Sequence, residues 1–181
     1  ADGEVVGKDL AGIYYASPIT EGGRVYFVGA KEDHQMDRHI TAVEVLMGSG
    51  GRPVARQLWN KRVDRGTNQA SPILVDGLLY NVDKDAKLMI FSPDDGKLLS
   101  KGPLPDELPG NAKYFPSPAY AGGHLYITNN QGKTGVFVPG LSGRAVAFNT
   151  LKPMRSSLVF SGGRIYVRTL DAVYCLARKG D

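Results

Sequence analysis

The stretch Ser71-Pro72-Ile73-Leu74-Val75-Asp76-Gly77-Leu78-Leu79-Tyr80 holds a short apolar strand, an Asp-Gly pair and a second apolar strand reaching Tyr. The same order of residue types stands at Ser17-Pro18-Ile19-Thr20-Glu21-Gly22-Gly23-Arg24-Val25-Tyr26 and at Ser117-Pro118-Ala119-Tyr120-Ala121-Gly122-Gly123-His124-Leu125-Tyr126. It stands a fourth time at Ser157-Leu158-Val159-Phe160-Ser161-Gly162-Gly163-Arg164-Ile165-Tyr166. Ser and Tyr are nine positions apart in every copy, without a gap. A two-residue hairpin turn of type I′ needs positive φ at both central residues, which Gly-Gly and Asp-Gly supply. Each copy therefore predicts a β-hairpin.

Working outward, the strands after each turn, such as Arg24-Val25-Tyr26-Phe27-Val28 and Leu78-Leu79-Tyr80-Asn81-Val82, carry apolar residues on both faces. Such strands must be covered from both sides. The anchoring serines are 54, 46 and 40 residues apart, and each interval has room for a further strand pair. These pairs are Ile40–Val45 with Val54–Trp59, Leu88–Phe91 with Lys97–Ser100, and Gly135–Val138 with Arg144–Phe148. Four strands per period of about 40–50 residues is the pattern of propeller blades. The expected fold is all-β: one β-propeller domain over 1–181, with four-stranded antiparallel blades at roughly 11–65, 66–110, 111–150 and 151–181. An N-terminal strand at 3–10 is expected to pair with a last blade, its own or a partner's. Four repeats make either a small closed ring or half of an eight-bladed one. The segments Lys31–His39 and Pro103–Pro116 read as an insertion and a connector.

Composition narrows the function classes. Among 181 residues there is one cysteine, Cys175, so neither a disulfide framework nor a multi-cysteine zinc site exists within the chain. No apolar run is long enough for a membrane-spanning helix. The net charge of +4 is uneven: residues 91–181 hold 11 basic and 6 acidic side chains, against 11 and 12 in residues 1–90. Arg52, Arg56, Lys61, Arg62 and Arg65 read as a solvated outer face, with no motif for nucleic acid beside them. The start, Ala1-Asp2-Gly3-Glu4, does not have the pattern of a signal peptide.

On these residues the chain resembles the pyrroloquinoline-quinone-like (PQQ-like) repeat family of β-propellers. That pattern runs Ser-Pro-x-x-x-x-Gly-x-x-Tyr, then a strand ending in Asp, Thr-Gly, and a closing strand ending in Trp. Here the closing Trp occurs once, as Trp59, and Ser100 replaces it in the second repeat; Glu44, Ser92 and Val138 stand at the Asp position. These departures imply that Trp docking between neighbouring blades is largely lost. The family's quinone enzymes rest the cofactor on a buried Trp beside calcium, often with a vicinal Cys pair. One Trp and one Cys carry no such site over, so no cofactor and no metal are expected. The resemblance implies a non-catalytic binding module: a protein-binding or assembly scaffold outside the cytoplasm of a bacterium, in the periplasm or secreted. The alternatives are a fragment of a quinoprotein-like enzyme and a carbohydrate-binding propeller. The expected partner is another protein, or a second copy that completes the ring as a homodimer.

Glu32, Asp33, His34, Asp37 and His39 cluster in the insertion, but their spacing fits no metal motif and reads as a polar hairpin tip. The four repeat serines read as structural, since no nucleophile elbow surrounds them. Asp83 and Asp85 beside Lys84 and Lys87 read as surface ion pairs, and Cys175 as an inert core thiol. Gly132-Lys133-Thr134 lacks the upstream glycine and following helix of a phosphate loop. What remains is the propeller mouth, ringed by loops that enter each innermost strand. Tyr15, Asn68, Gln69, Tyr114 and Arg155 are its expected ligand-binding residues; Tyr14, Lys113 and Met154 lie in the same loops.

Overall fold

A computed structural model of the chain describes residues 5–12, 15–30, 37–65 and 69–178. The first blade is β1 (Ile19–Glu21), β2 (Arg24–Ala30), β3 (Asp37–Met47) and β4 (Pro53–Arg65). The second is β5 (Ile73–Val75), β6 (Leu78–Val82), β7 (Lys87–Phe91) and β8 (Leu98–Pro103). The third is β9 (Ala119–Ala121), β10 (His124–Thr128), β11 (Lys133–Phe137) and β12 (Ala145–Thr150). The fourth has β13 (Val159–Ser161), β14 (Arg164–Arg168) and β15 (Val173–Leu176). Every sheet is a simple antiparallel meander in chain order. The protein is an all-β propeller of four repeats.

The turn chemistry is as the sequence demands. Gly22 and Gly23, Asp76 and Gly77, Gly122 and Gly123, and Gly162 and Gly163 all have φ between 50° and 77°. The register Ile19↔Tyr26, Ile73↔Tyr80 and Val159↔Tyr166 repeats from blade to blade.

Blades stack through two apolar layers. Between the first and second lie Tyr26, Val28, Ile40, Ala42 and Trp59 against Leu79, Met89 and Phe91. Between the second and third lie Tyr80, Val82, Leu88 and Ile90 against Leu125, Ile127 and Phe137. Alternation along each strand sends neighbouring residues to opposite blades, which is why both faces are apolar. Inside the first layer sits a charged pair, Arg38 Nη1 at 3.9 Å from Asp83 Oδ2, both nearly fully buried. Asp83 is thus no surface group. Its Oδ1 accepts from the Asp85 and Lys87 amides, so it caps its own hairpin turn, while Asp85 stays outside and bonds Lys84 at 2.7 Å.

Four further expectations change. The segment 103–116 is core rather than plain connector: Leu104, Leu108, Ala112 and Tyr114 are buried in the second layer. Gly135 makes room for it, since a Cβ there would stand 2.8 Å from Leu108 Cδ1. In the N-terminal region, the described residues 5–10 form no strand; the Val6 carbonyl accepts the Ala55 amide and the Leu10 carbonyl accepts Gln57 Nε2. They lie along β4, an edge strand of the first blade. Cys175 is exposed, because nothing packs on its side of β15 among the described residues. His39 lies on β3, its Nδ1 on Asn60 Oδ1, which ties two strands together. Residues 31–36, with Glu32, Asp33 and His34, lie outside the described residues.

The one Trp does dock. Trp59 Nε1 donates to the Pro93 carbonyl at 3.0 Å, and its ring lies over Gly96 of the next blade.

Candidate functional site, the mouth of the propeller

Three hydrogen bonds organise the axis. The Ser17 amide donates to Ser71 Oγ, the Ser71 amide to Ser117 Oγ and the Ser117 amide to Ser157 Oγ, each at 2.9 Å. One motif residue per blade thus links each innermost strand to the next. These hydroxyls are spacers between blades, which explains their recurrence and the small residue required there.

The loops that enter the innermost strands end at this ladder. Two residues before each serine stand Tyr15, Gln69, Phe115 and Arg155. Tyr15 and Arg155 are exposed, and Gln69 and Phe115 are half-buried. The Arg155 guanidinium carbon lies 5.2 Å from the Phe115 ring centroid, a cation–π contact bridging the third and fourth loops. Neighbouring positions face elsewhere. Ala16 and Ala70 are buried, and so are Tyr114 and Met154, at 4% and 0% exposure.

Tyr114 therefore takes no place on the rim. Its hydroxyl donates toward the Leu108 carbonyl at 2.7 Å, with the Pro109 carbonyl at 3.3 Å. Burial pushes its pKa up to about 12, offset in part by a hydrogen bond with Asn129. The apolar interior disfavours a phenolate. Phe115 takes the rim position that Tyr114 was expected to hold. The fixed offset of two from the repeat serine would have found it. Asn68, with Tyr14, lies outside the described residues.

The rim is braced from below. The Asn130 amide donates to the Lys113 carbonyl and Asn130 Oδ1 accepts the Lys113 amide, both at 2.8 Å. The Met154 amide donates to the Asn130 carbonyl at 3.2 Å. Gly132, at φ +84°, has no room for a side chain, because the Leu151 and Lys152 carbonyls lie within 2.5 Å of where a Cβ would stand. The Gly132-Lys133-Thr134 run is thus a hairpin turn capped by Asn129 Oδ1, which accepts from the Gln131 and Lys133 amides. It has no phosphate cradle. Exposed Lys113, Lys152 and Arg155 stand with Asp106, Glu107 and Asp171 in the same set of loops, so charge there is mixed.

Two wide grooves open elsewhere. One, of about 440 Å³, lies between the third and fourth blades beside Tyr126, Phe160 and Arg164. Another, of about 410 Å³, lies between the first two blades beside Lys61, Phe91 and Gly96. The described residues hold no group of three or more His, Cys, Asp or Glu placed to share a metal ion, and no helix long and apolar enough to cross a membrane.

Four antiparallel meander sheets, each built on one repeated hairpin motif, define a β-propeller. The chain belongs to the PQQ-like family whose model, described as outer membrane protein assembly factor BamB, matches residues 1–180. That family supports a general role in protein binding or assembly. No curated protein matches the chain. Among solved structures it is similar to BamB from Moraxella catarrhalis, at 13% identity and a TM-score of 0.60, over 87% of this chain and 41% of that one. It is also similar to the computationally designed Ika4 protein, at 13% identity and a TM-score of 0.58, over 94% of this chain and 98% of that one. The designed Ika8 protein matches at 13% identity and a TM-score of 0.59, over 88% and 45%. The chain thus spans less than half the length of the BamB and Ika8 chains, and at these identities the likeness is one of fold.

Proposed function

We propose that this chain is a non-catalytic assembly scaffold that holds another protein at the propeller mouth, outside the cytoplasm of a bacterium. The observation that carries the reading is the contrast at the mouth between what repeats and what does not. Serine recurs in every blade and is spent on the ladder, while the position two before it is Tyr15, Gln69, Phe115 and Arg155 in turn. An aromatic ring, an amide, and an Arg resting on a Phe are the residue types that anchor protein interfaces. The bracing by Asn130 holds the loops of Phe115 and Arg155 in place before a partner arrives, which lowers the ordering cost of binding there. The matched family's description as an assembly factor supports the same reading.

The test is site-specific photo-crosslinking in the source cells, with the reactive residue placed at Tyr15, Gln69 or Arg155 and, as a control, at exposed Asp76 in the hairpin turn at the opposite end. Crosslinks to protein from the mouth positions and none from Asp76 are expected. Equal yields from both ends would refute the mouth as the binding surface. Saturable binding on a glycan array, lost on Tyr15→Ala, would replace a protein partner with a carbohydrate.

A further inference from the structure

We infer that the groove between the first two blades takes an acidic, partly apolar segment of a partner protein, lying extended beside the outer strands. This is a second surface, set at the periphery rather than at the axis, and what the mouth holds does not bear on it.

Both walls belong to blades that pack against each other within the chain. The first wall is β4, where Trp59 crosses to the second blade and Lys61 follows it. A Cβ on Gly96 would stand 2.6 Å from Trp59 Cε3 and 2.9 Å from Lys61 Cγ. The second wall is the hairpin of β7 and β8, with Phe91 on one strand and Leu98 on the other. Beyond the indole the walls part, and about 410 Å³ is left open.

The lining is divided between apolar floor and charged rim. Val63, Phe91 and Leu98 give the floor, and Leu98 is 44% exposed. Lys61, Arg62 and Lys97 stand around it, all three exposed. Among the described residues, the Lys61 and Lys97 ammonium groups make no hydrogen bond and no ion pair. Asp95 is the one carboxylate in the lining, and its Oδ1 accepts the Lys97 amide of its own turn at 3.1 Å. A hydrogen bond from Ser92, and then that amide, hold its pKa below the ordinary carboxylate value, so the turn itself satisfies the anion. The adjacent Asp94 is taken by Arg24 at 2.6 Å. Three cations thus face one anion that is already engaged.

Shape and charge together select the occupant. A positive rim draws carboxylates and repels a basic partner. A small free anion would leave Leu98 in water. An extended peptide alternates its side chains, so it can lay an apolar residue on the floor and keep acids at the rim. Single-stranded nucleic acid stacks its bases on open aromatic rings, and here Phe91 and Trp59 are only 1% and 8% exposed.

Fluorescence anisotropy on the full chain tests this with three labelled octapeptides: alternating glutamate and leucine, alternating lysine and leucine, and glutamate throughout. Saturable binding of the first is expected, about tenfold or more tighter than either of the others, and weakening as salt screens the rim. Trp59 is the only indole in the chain and lies against the groove wall at Gly96, so its emission should change along the same curve with unlabelled peptide. Lys61→Glu with Lys97→Glu should weaken binding about tenfold or more. Arg144→Glu with Arg164→Glu makes the same change in net charge on other blades and should stay within about twofold. Leu98→Ser should bring the glutamate–leucine peptide down toward the all-glutamate one. If a variant fails to fold, the parent's peptide preference and Trp59 response decide alone. No saturable binding, binding that leaves Trp59 emission unchanged, or equal losses from the two charge reversals overturns the inference. So does equal uptake of the lysine–leucine peptide, or displacement by a single-stranded thymidine oligonucleotide at a lower concentration than by unlabelled peptide.

Discussion

Replacing Gly96 with alanine tests the blade-to-blade docking of the only tryptophan. Gly96 has φ +68°, and a Cβ built on it would lie 2.6 Å from Trp59 Cε3 and 2.9 Å from Lys61 Cγ. Two penalties add. Holding alanine in the left-handed region costs about 1–2 kcal/mol. Forcing the indole away from a packed position costs about 1–3 kcal/mol more. Gly77 separates the two: its φ is +70° and no atom lies within 4 Å of its built Cβ. Gly77→Ala should therefore lose only the first amount, about 1–2 kcal/mol, and Gly96→Ala about 2–5 kcal/mol in total. The assay is urea unfolding at one fixed protein concentration, followed by circular dichroism and by Trp59 fluorescence. The indole is the only one in the chain, so its emission reads the docking directly. Trp59→Ala removes the ring and its bond to Pro93, at about 3–5 kcal/mol. On that background Gly96→Ala should fall back toward the Gly77→Ala value. Equal losses for the two glycine variants in the parent, or an undiminished Gly96→Ala loss without the indole, would refute the docking argument.

Two more outcomes follow from the axis and the connector. Ser117→Ala leaves the half-buried Ser71 amide without its acceptor and should cost about 1–3 kcal/mol in urea unfolding. Ser17→Ala removes an acceptor that no described donor uses and should stay within about 0.5 kcal/mol. Tyr114 predicts an alkaline signature. Burial raises its folded-state pKa to about 12 while the unfolded chain keeps the ordinary value near 10, so the folded state holds the proton more tightly. That contribution is whole below pH 10 and is lost as the pH climbs through about 12. Unfolding midpoints against pH should fall less steeply in that window for Tyr114→Phe than for the parent, and parallel curves would exclude Tyr114 as the source.

Much of the fold was legible because the deciding signals are local. A Gly-Gly or Asp-Gly pair at a fixed place between short apolar runs specifies a hairpin whatever surrounds it, and four ungapped copies specify a repeated blade. Trp59 shows the limit. Its loss from later repeats suggested that docking had lapsed, yet where it survives the partner is a glycine 37 positions on, set by the stacking of blades. Residues 103–116 read as a connector for a related reason. Leu104, Leu108 and Tyr114 follow no period, since they fill the wedge between two blades rather than lie along a strand. An aromatic residue in a loop reads as a binding residue, which puts Tyr114 on the rim, and only packing shows that the ring points inward. Cys175 went the other way. Its apolar neighbours marked a core strand, and whether a blade covers that strand is decided outside it.

The mouth raises a question of design that the repeat answers by itself. In a molecule built by duplicating one hairpin, a position that keeps its residue serves what all blades need in common. Serine at the axis keeps the strands one bond apart, and the turn glycines keep the hairpins closed. A position that changes residue in every blade, at the same height around the axis, is free of that demand. Tyr15, Gln69, Phe115 and Arg155 occupy such a position, and Arg155 on Phe115 shows two of them already acting together.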